Sequence, residues 1–138
     1  MKVNELRIGN YVYADDRFRP IPEIKDAPLI VSEISNNLYV REYFISVFYT
    51  SKNRGWDVLS SLVKPIPVTE EILLKCGFKV VHPEYKDIYA IRNIEYLVGC
   101  GSKSGLHWNG YQLLKTKYLH QLQNAYYAIT GEELEVKL

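Results

Sequence analysis

Lys64-Pro65-Ile66-Pro67-Val68-Thr69-Glu70-Glu71-Ile72-Leu73-Leu74-Lys75-Cys76-Gly77-Phe78 is the stretch on which the reading of this chain turns. Each proline disfavours helix in the residue before it, so residues 64–68 are predicted to be extended. Helix signals then agree from Thr69 onward. The Thr69 hydroxyl is placed to cap the first turn. Glu70 and Glu71 put negative charge at the positive end of the helix dipole, and Lys75 puts positive charge near the other end. Gly77 suits the left-handed residue that closes a helix, which lets Phe78 fold back on Leu73. A short helix with two defined ends therefore separates the chain before Pro67 from the chain after it.

Upstream, the sequence reads as strands. Gly9-Asn10 is a turn signal and Tyr11-Val12-Tyr13 continues as a strand. This opening is similar to that of small barrels of the Src-homology and Tudor type. Residues 15–28 hold Pro20, Pro22 and Pro28 among charged side chains, so a loop or extended arm is predicted there. Strands are expected over 29–34, 38–50 and 56–63. Asn36-Asn37 and residues 51–55 are the expected turns. The result is a β-rich N-terminal lobe over residues 1–66, barrel-like in outline.

Downstream, strands are expected at 78–81, 88–91, 96–98 and 106–108, a meander that follows the helix. Residues 117–130 then form a second helix. Tyr118, Leu119, Leu122, Ala125, Tyr126 and Ile129 make its apolar stripe, and Gly131 stops it. Its polar face is expected to carry His120, Gln121, Gln123, Asn124 and Tyr127. The predicted class is α+β: the β-rich N-terminal lobe packed with an α-β-meander-α C-terminal lobe over residues 67–138, as one compact unit.

Bulk properties narrow the function. The chain has 138 residues, with 47% apolar and 24% charged, enough to bury a core and too apolar for disorder. Seventeen Lys and Arg against 16 Asp and Glu leave a net charge of +1. The basic excess of a non-specific DNA coat protein is missing. Twelve tyrosines suit half-buried strand positions, and Tyr is also enriched at binding surfaces. Two cysteines are too few for a disulfide scaffold. No secretory leader and no membrane-length apolar run is read, so a cytoplasmic protein with reduced thiols is expected.

Candidate chemistry is sparse. The loop Gly99-Cys100-Gly101-Ser102-Lys103-Ser104-Gly105 has the ingredients of a phosphate cradle. A P-loop, however, ends in Gly-Lys-Ser/Thr and opens directly into a helix, whereas here Lys103 precedes the last Gly and a strand follows. Cys100 and His107 have the chemistry of a nucleophile and base, but no third residue orients them. His82, His107 and His120 are isolated and the cysteines lack metal-ligand spacing. Adjacent acidic pairs, Asp15-Asp16 and Glu70-Glu71, face apart on any regular element. No catalytic residue, metal or cofactor is therefore assigned. Arg41 to Phe44 and Lys52 to Trp56 mix basic and aromatic residues, which suits stacking on unpaired bases.

Three segments together carry a family likeness: residues 4–12, residues 65–78, and His120-Gln121-Leu122-Gln123-Asn124-Ala125-Tyr126-Tyr127-Ala128-Ile129-Thr130-Gly131-Glu132-Glu133-Leu134. In these the chain resembles a family of small uncharacterised proteins found in gut Bacteroidota, their prophages and their phages. The resemblance implies an intracellular protein and implies no activity. The expected function is non-enzymatic binding or adaptor work on a protein partner, with nucleic-acid binding second and a small cysteine-dependent enzyme third. His120, Gln123, Asn124 and Tyr127 on the last helix, with Arg54 and Trp56 in the N-terminal lobe, are the expected partner-binding residues.

Overall fold

The computed structural model describes residues 1–17, 24, 26–37, 42–114 and 116–138. The chain divides into two compact units, Met1–Ile66 and Pro67–Leu138. Each unit holds a five-stranded antiparallel sheet, and two α-helices belong to the second. The fold is thus α+β, dominated by antiparallel sheet.

In the first unit the strands are β1 (Tyr11–Ala14), β2 (Pro28–Asn37), β3 (Glu42–Tyr49), β4 (Arg54–Leu59) and β5 (Val63–Pro65), in the order β4-β3-β2-β1-β5. A tight turn launches β1. The Asn10 N–H donates to the Arg7 carbonyl at 3.1 Å, and Gly9 has φ +90°. That geometry is a type II turn, which needs glycine at its third position. The Asn10 side chain turns back to accept the Arg7 N–H at 2.7 Å. Along β1, Val12 and Ala14 point inward while Tyr11 and Tyr13 stay half-buried. Val12, Leu29, Val31, Ile45, Val47 and Val58 make the core of this unit.

Several sequence expectations are corrected here. The sheet is open and not barrel-like: β4 and β5 are its two edges, and no ladder joins them among the described residues. A 3-10 turn at Ser60–Leu62 carries the chain from one edge to the other, and so breaks the strand expected over 56–63. Glu42 holds this turn, its Oε1 accepting the Ser61 N–H at 2.7 Å and the Ser60 hydroxyl at 3.1 Å. The Ser61 hydrogen bonds keep the Glu42 carboxyl below its ordinary range. Asn36 and Asn37 are not a turn but the end of β2, paired with Tyr43 and Glu42. Ladder pairing overrides the weak strand preference of Asn. The start of the strand expected over 38–50, with Arg41, and most of the proline-bearing loop lie outside the described residues.

The second unit contains α1 (Glu70–Lys75), β6 (Lys79–His82), β7 (Tyr85–Ile91), β8 (Ile94–Leu97), β9 (Gly105–Trp108), β10 (Tyr111–Leu114) and α2 (Leu119–Thr130). Its sheet is a meander, β10-β9-β8-β7-β6. The ends of α1 form as predicted. Thr69 Oγ1 accepts the Ile72 N–H at 3.3 Å, and Lys75 pairs with Glu71 at 2.7 Å. At the far end Gly77 has φ +83°, its N–H donates to the Leu74 carbonyl, and the Phe78 N–H donates to the Leu73 carbonyl, both at 3.0 Å. This is a Schellman motif. A Cβ at Gly77 would meet Ile91 Cδ1 at 3.6 Å, an ordinary contact, so the demand for glycine comes from the backbone. Gly77→Ala is expected to cost about 1–2 kcal/mol in urea unfolding, and Gly77→Asn less, because Asn tolerates the left-handed region.

One strand was not anticipated. Asn109 and Gly110 have φ of +51° and +80°, a two-residue turn that joins β9 to β10. Positive φ at both central residues is the type I′ hairpin geometry that Asn-Gly favours. Helix α2 also departs from expectation. Gln121 Oε1 accepts the N–H groups of Lys117 and Tyr118 at 3.1 and 3.3 Å, closing its N-terminus. Its buried residues are Leu119, His120, Leu122, Gln123, Ala125 and Tyr126. These wrap more than half of a helix that turns ~100° per residue, a wider arc than the apolar stripe alone.

Candidate functional site

The structure places the six sequence-predicted binding residues in different settings. His120 is fully buried and its ring stacks on Tyr118, with centroids 6.0 Å apart and planes at 9°. Gln123 is buried as well. Both belong to the interior, which corrects their assignment to an open polar face: the wide burial of α2 takes in side chains that flank its apolar stripe. Asn124 is half-buried and Tyr127 exposed, so neither i, i+4 pair presents two open side chains. In the first unit Arg54 is exposed at the start of β4, while Trp56 packs against the core cluster. A ring committed to the core is not free to stack on a base.

The glycine loop is a brace. The N–H groups of Lys103 and Ser104 donate back to Cys100 and Gly101 carbonyls, each at 3.2 Å. Gln112 Nε2 donates to the carbonyls of Ser102 and Ser104 at 3.1 and 3.0 Å, and His107 Nε2 meets the Lys103 carbonyl at 2.7 Å. A phosphate cradle needs backbone N–H groups pointed outward, and two of these are spent inside the loop. His107 holds a carbonyl and the Cys100 thiol donates to the Val98 carbonyl at 3.3 Å, so no hydrogen bond joins the two. Cys76 lies inside, where burial pushes its thiol up to about 12. Among the described residues no group of three or more His, Cys, Asp or Glu gathers as a metal site, and no helix is long and apolar enough to cross a membrane.

Among the described residues, the concavities of the second unit include the following two. One, of about 380 Å³, runs between the end of α1, the β7–β8 turn and the C-terminal segment. The chain's own contacts close around it: the Arg92 guanidinium pairs with the Glu132 carboxylate at 2.5 Å, and the Lys137 backbone N–H donates to the Lys75 carbonyl at 2.9 Å. It is a clamp for the C-terminal segment, which Leu134 anchors by burial. The other, a shallow depression of about 450 Å³, is lined by Glu70, Val80, Pro83 and Tyr89 beside β6.

The two edges of this sheet differ. Edge strand β6 is exposed over its whole length, but it carries Lys79 and His82 and runs into Pro83. Charge and proline are the usual guards against strand addition. Edge strand β10 reads Tyr111-Gln112-Leu113 with no charge. In the register of the sheet, Tyr111 sits opposite Trp108 and Trp108 opposite Ile94, so the three side chains share one face. Exposure rises along this row from 0% at Ile94 to 37% at Trp108 and 76% at Tyr111. An apolar row thus leaves the core and ends in solvent on two large aromatic rings, and Leu113 of the same strand is exposed as well. Sequence reading missed this site because β10 was not read. The Asn109-Gly110 pair between two aromatic-bearing runs was the available signal. No protein-family model, curated protein or solved structure matches the chain.

Proposed function

We propose that this chain is a non-enzymatic binding protein and that the open face of the β9–β10 hairpin is its docking surface. The observation that carries the reading is the exposed Trp108–Tyr111 pair on an uncharged edge hairpin. Trp and Tyr dominate binding hot spots because they bury much area, keep a polar handle and lose little conformational freedom. A hairpin braced from behind by Gln112 and His107 offers these rings on a preorganised support. The likeness to small uncharacterised proteins of Bacteroidota and their phages belongs to the same proposal and adds no activity to it.

The test is the double variant Trp108→Ala/Tyr111→Ala. Truncation of two hot-spot rings is expected to weaken capture of bound material from native lysate by about tenfold or more. Thermal stability should fall by less than for a core ring, because Tyr111 is 76% and Trp108 37% exposed. Undiminished capture by the double variant would reject the hairpin as the docking surface.

A further inference from the structure

We propose that residues 132–138 are a releasable strap that gates the Cys76 thiol, a device independent of the docking hairpin. The strap begins at a hinge. Helix α2 ends at Gly131, which has φ +72° and donates its N–H to the Tyr127 carbonyl at 2.8 Å. A left-handed residue at this position turns the chain off the helix axis. Thr130 Oγ1 then accepts the Glu132 N–H at 3.1 Å, which fixes the direction of departure. Residues 133–138 adopt neither helix nor strand. Leu134 is the one buried side chain among the described residues 132–138, at 4% exposure. Beyond it the Lys137 N–H holds the carbonyl of Lys75, the last residue of α1, at 2.9 Å. The Arg92–Glu132 ion pair adds little, because both side chains are more than half exposed.

Cys76 closes the C-terminal end of α1 and is only 3% exposed, although it borders the 380 Å³ concavity together with Leu134. The residue before it, Lys75, is the one that Lys137 grips. Strap and thiol thus share one concavity. Burial pushes the Cys76 thiol up to about 12, so almost no thiolate forms while the strap is down. A segment held chiefly by one buried apolar side chain, and by a hydrogen bond from an exposed residue, lies at the low end of local stability. It opens while the sheet stays folded. Release wets the concavity, and Cys76 then becomes an ordinary, reactive thiol. The strap therefore sets the reactivity of Cys76: inert when closed, ordinary when open.

Alkylation by iodoacetamide, read peptide by peptide in a mass spectrometer, follows Cys76 and Cys100 in the same sample. In the native protein the Cys76 rate is expected to stay nearly constant at urea concentrations below the unfolding transition, because release of a strap exposes little surface. Leu134→Ala removes the anchor and should raise the Cys76 rate about tenfold or more, with the Cys100 rate unchanged. A Cys76 rate that climbs with urea as steeply as global unfolding would overturn the proposal. That wild-type measurement decides even where Leu134→Ala fails to fold. An unchanged Cys76 rate in folded Leu134→Ala, or an equal rise at both cysteines, would overturn the proposal as well.

Discussion

Replacing Phe78 by alanine is expected to destabilise the second unit by about 3–5 kcal/mol. Phe78 is 1% exposed and among the largest fully buried side chains of the chain. It follows the left-handed Gly77, and its N–H closes the Schellman motif on the Leu73 carbonyl. Truncation removes the transfer free energy of the ring and opens a cavity at the junction of α1 with β6. Small domains hold about 5–15 kcal/mol of stability, so the loss is a large fraction of the total. The melting midpoint should fall by more than about 10 °C. Leu74→Ala on the same helix is the control. Leu74 is 54% exposed and should cost under about 1 kcal/mol. Equal losses at the two positions would contradict the assignment of Phe78 to the core.

The second large effect is alkaline. Burial pushes the Cys76 thiol from 9.0 up to about 12. A raised pKa in the folded state means that the fold holds the proton more tightly than the unfolded chain does. The associated stability is complete below pH 9 and is lost as the pH climbs toward 12. The full difference corresponds to at most about 4 kcal/mol. Burial also raises the Tyr96 phenol, against a smaller opposing effect of the Thr116 side chain, and so adds in the same direction. Chemical unfolding at a series of pH values should show wild type losing stability above pH 9 more steeply than Cys76→Ala. Parallel curves would place the thiol in water.

How far the sequence carried depended on where the determining forces lie. The ends of α1 were legible because capping is local: Thr69, Gly77 and Phe78 act on neighbours within one turn. The Asn36-Asn37 turn was misread because a ladder with Tyr43 and Glu42 outweighs local turn preference, and that pairing is not visible from the two asparagines. His120 and Gln123 were assigned to solvent by helical periodicity, which counts apolar residues and does not see how much of the helix is covered. The β9–β10 hairpin is the opposite case. Its Asn109-Gly110 signal was local and readable, yet the tie between Trp108 and Tyr111 depends on it. The candidate site was therefore lost with a single turn. The brace behind it could not be read at all, since Gln112 reaches Ser102 and Ser104 only after the hairpin has formed.

A photo-reactive phenylalanine analogue placed singly at Tyr111 and at Tyr127 tests the central claim most directly. Both side chains are exposed, one on the hairpin and one on α2. The hairpin account predicts that irradiation in native lysate yields a discrete adduct from position 111 and none from position 127. An adduct from position 127 with none from position 111 would contradict it and move the docking surface to the helix.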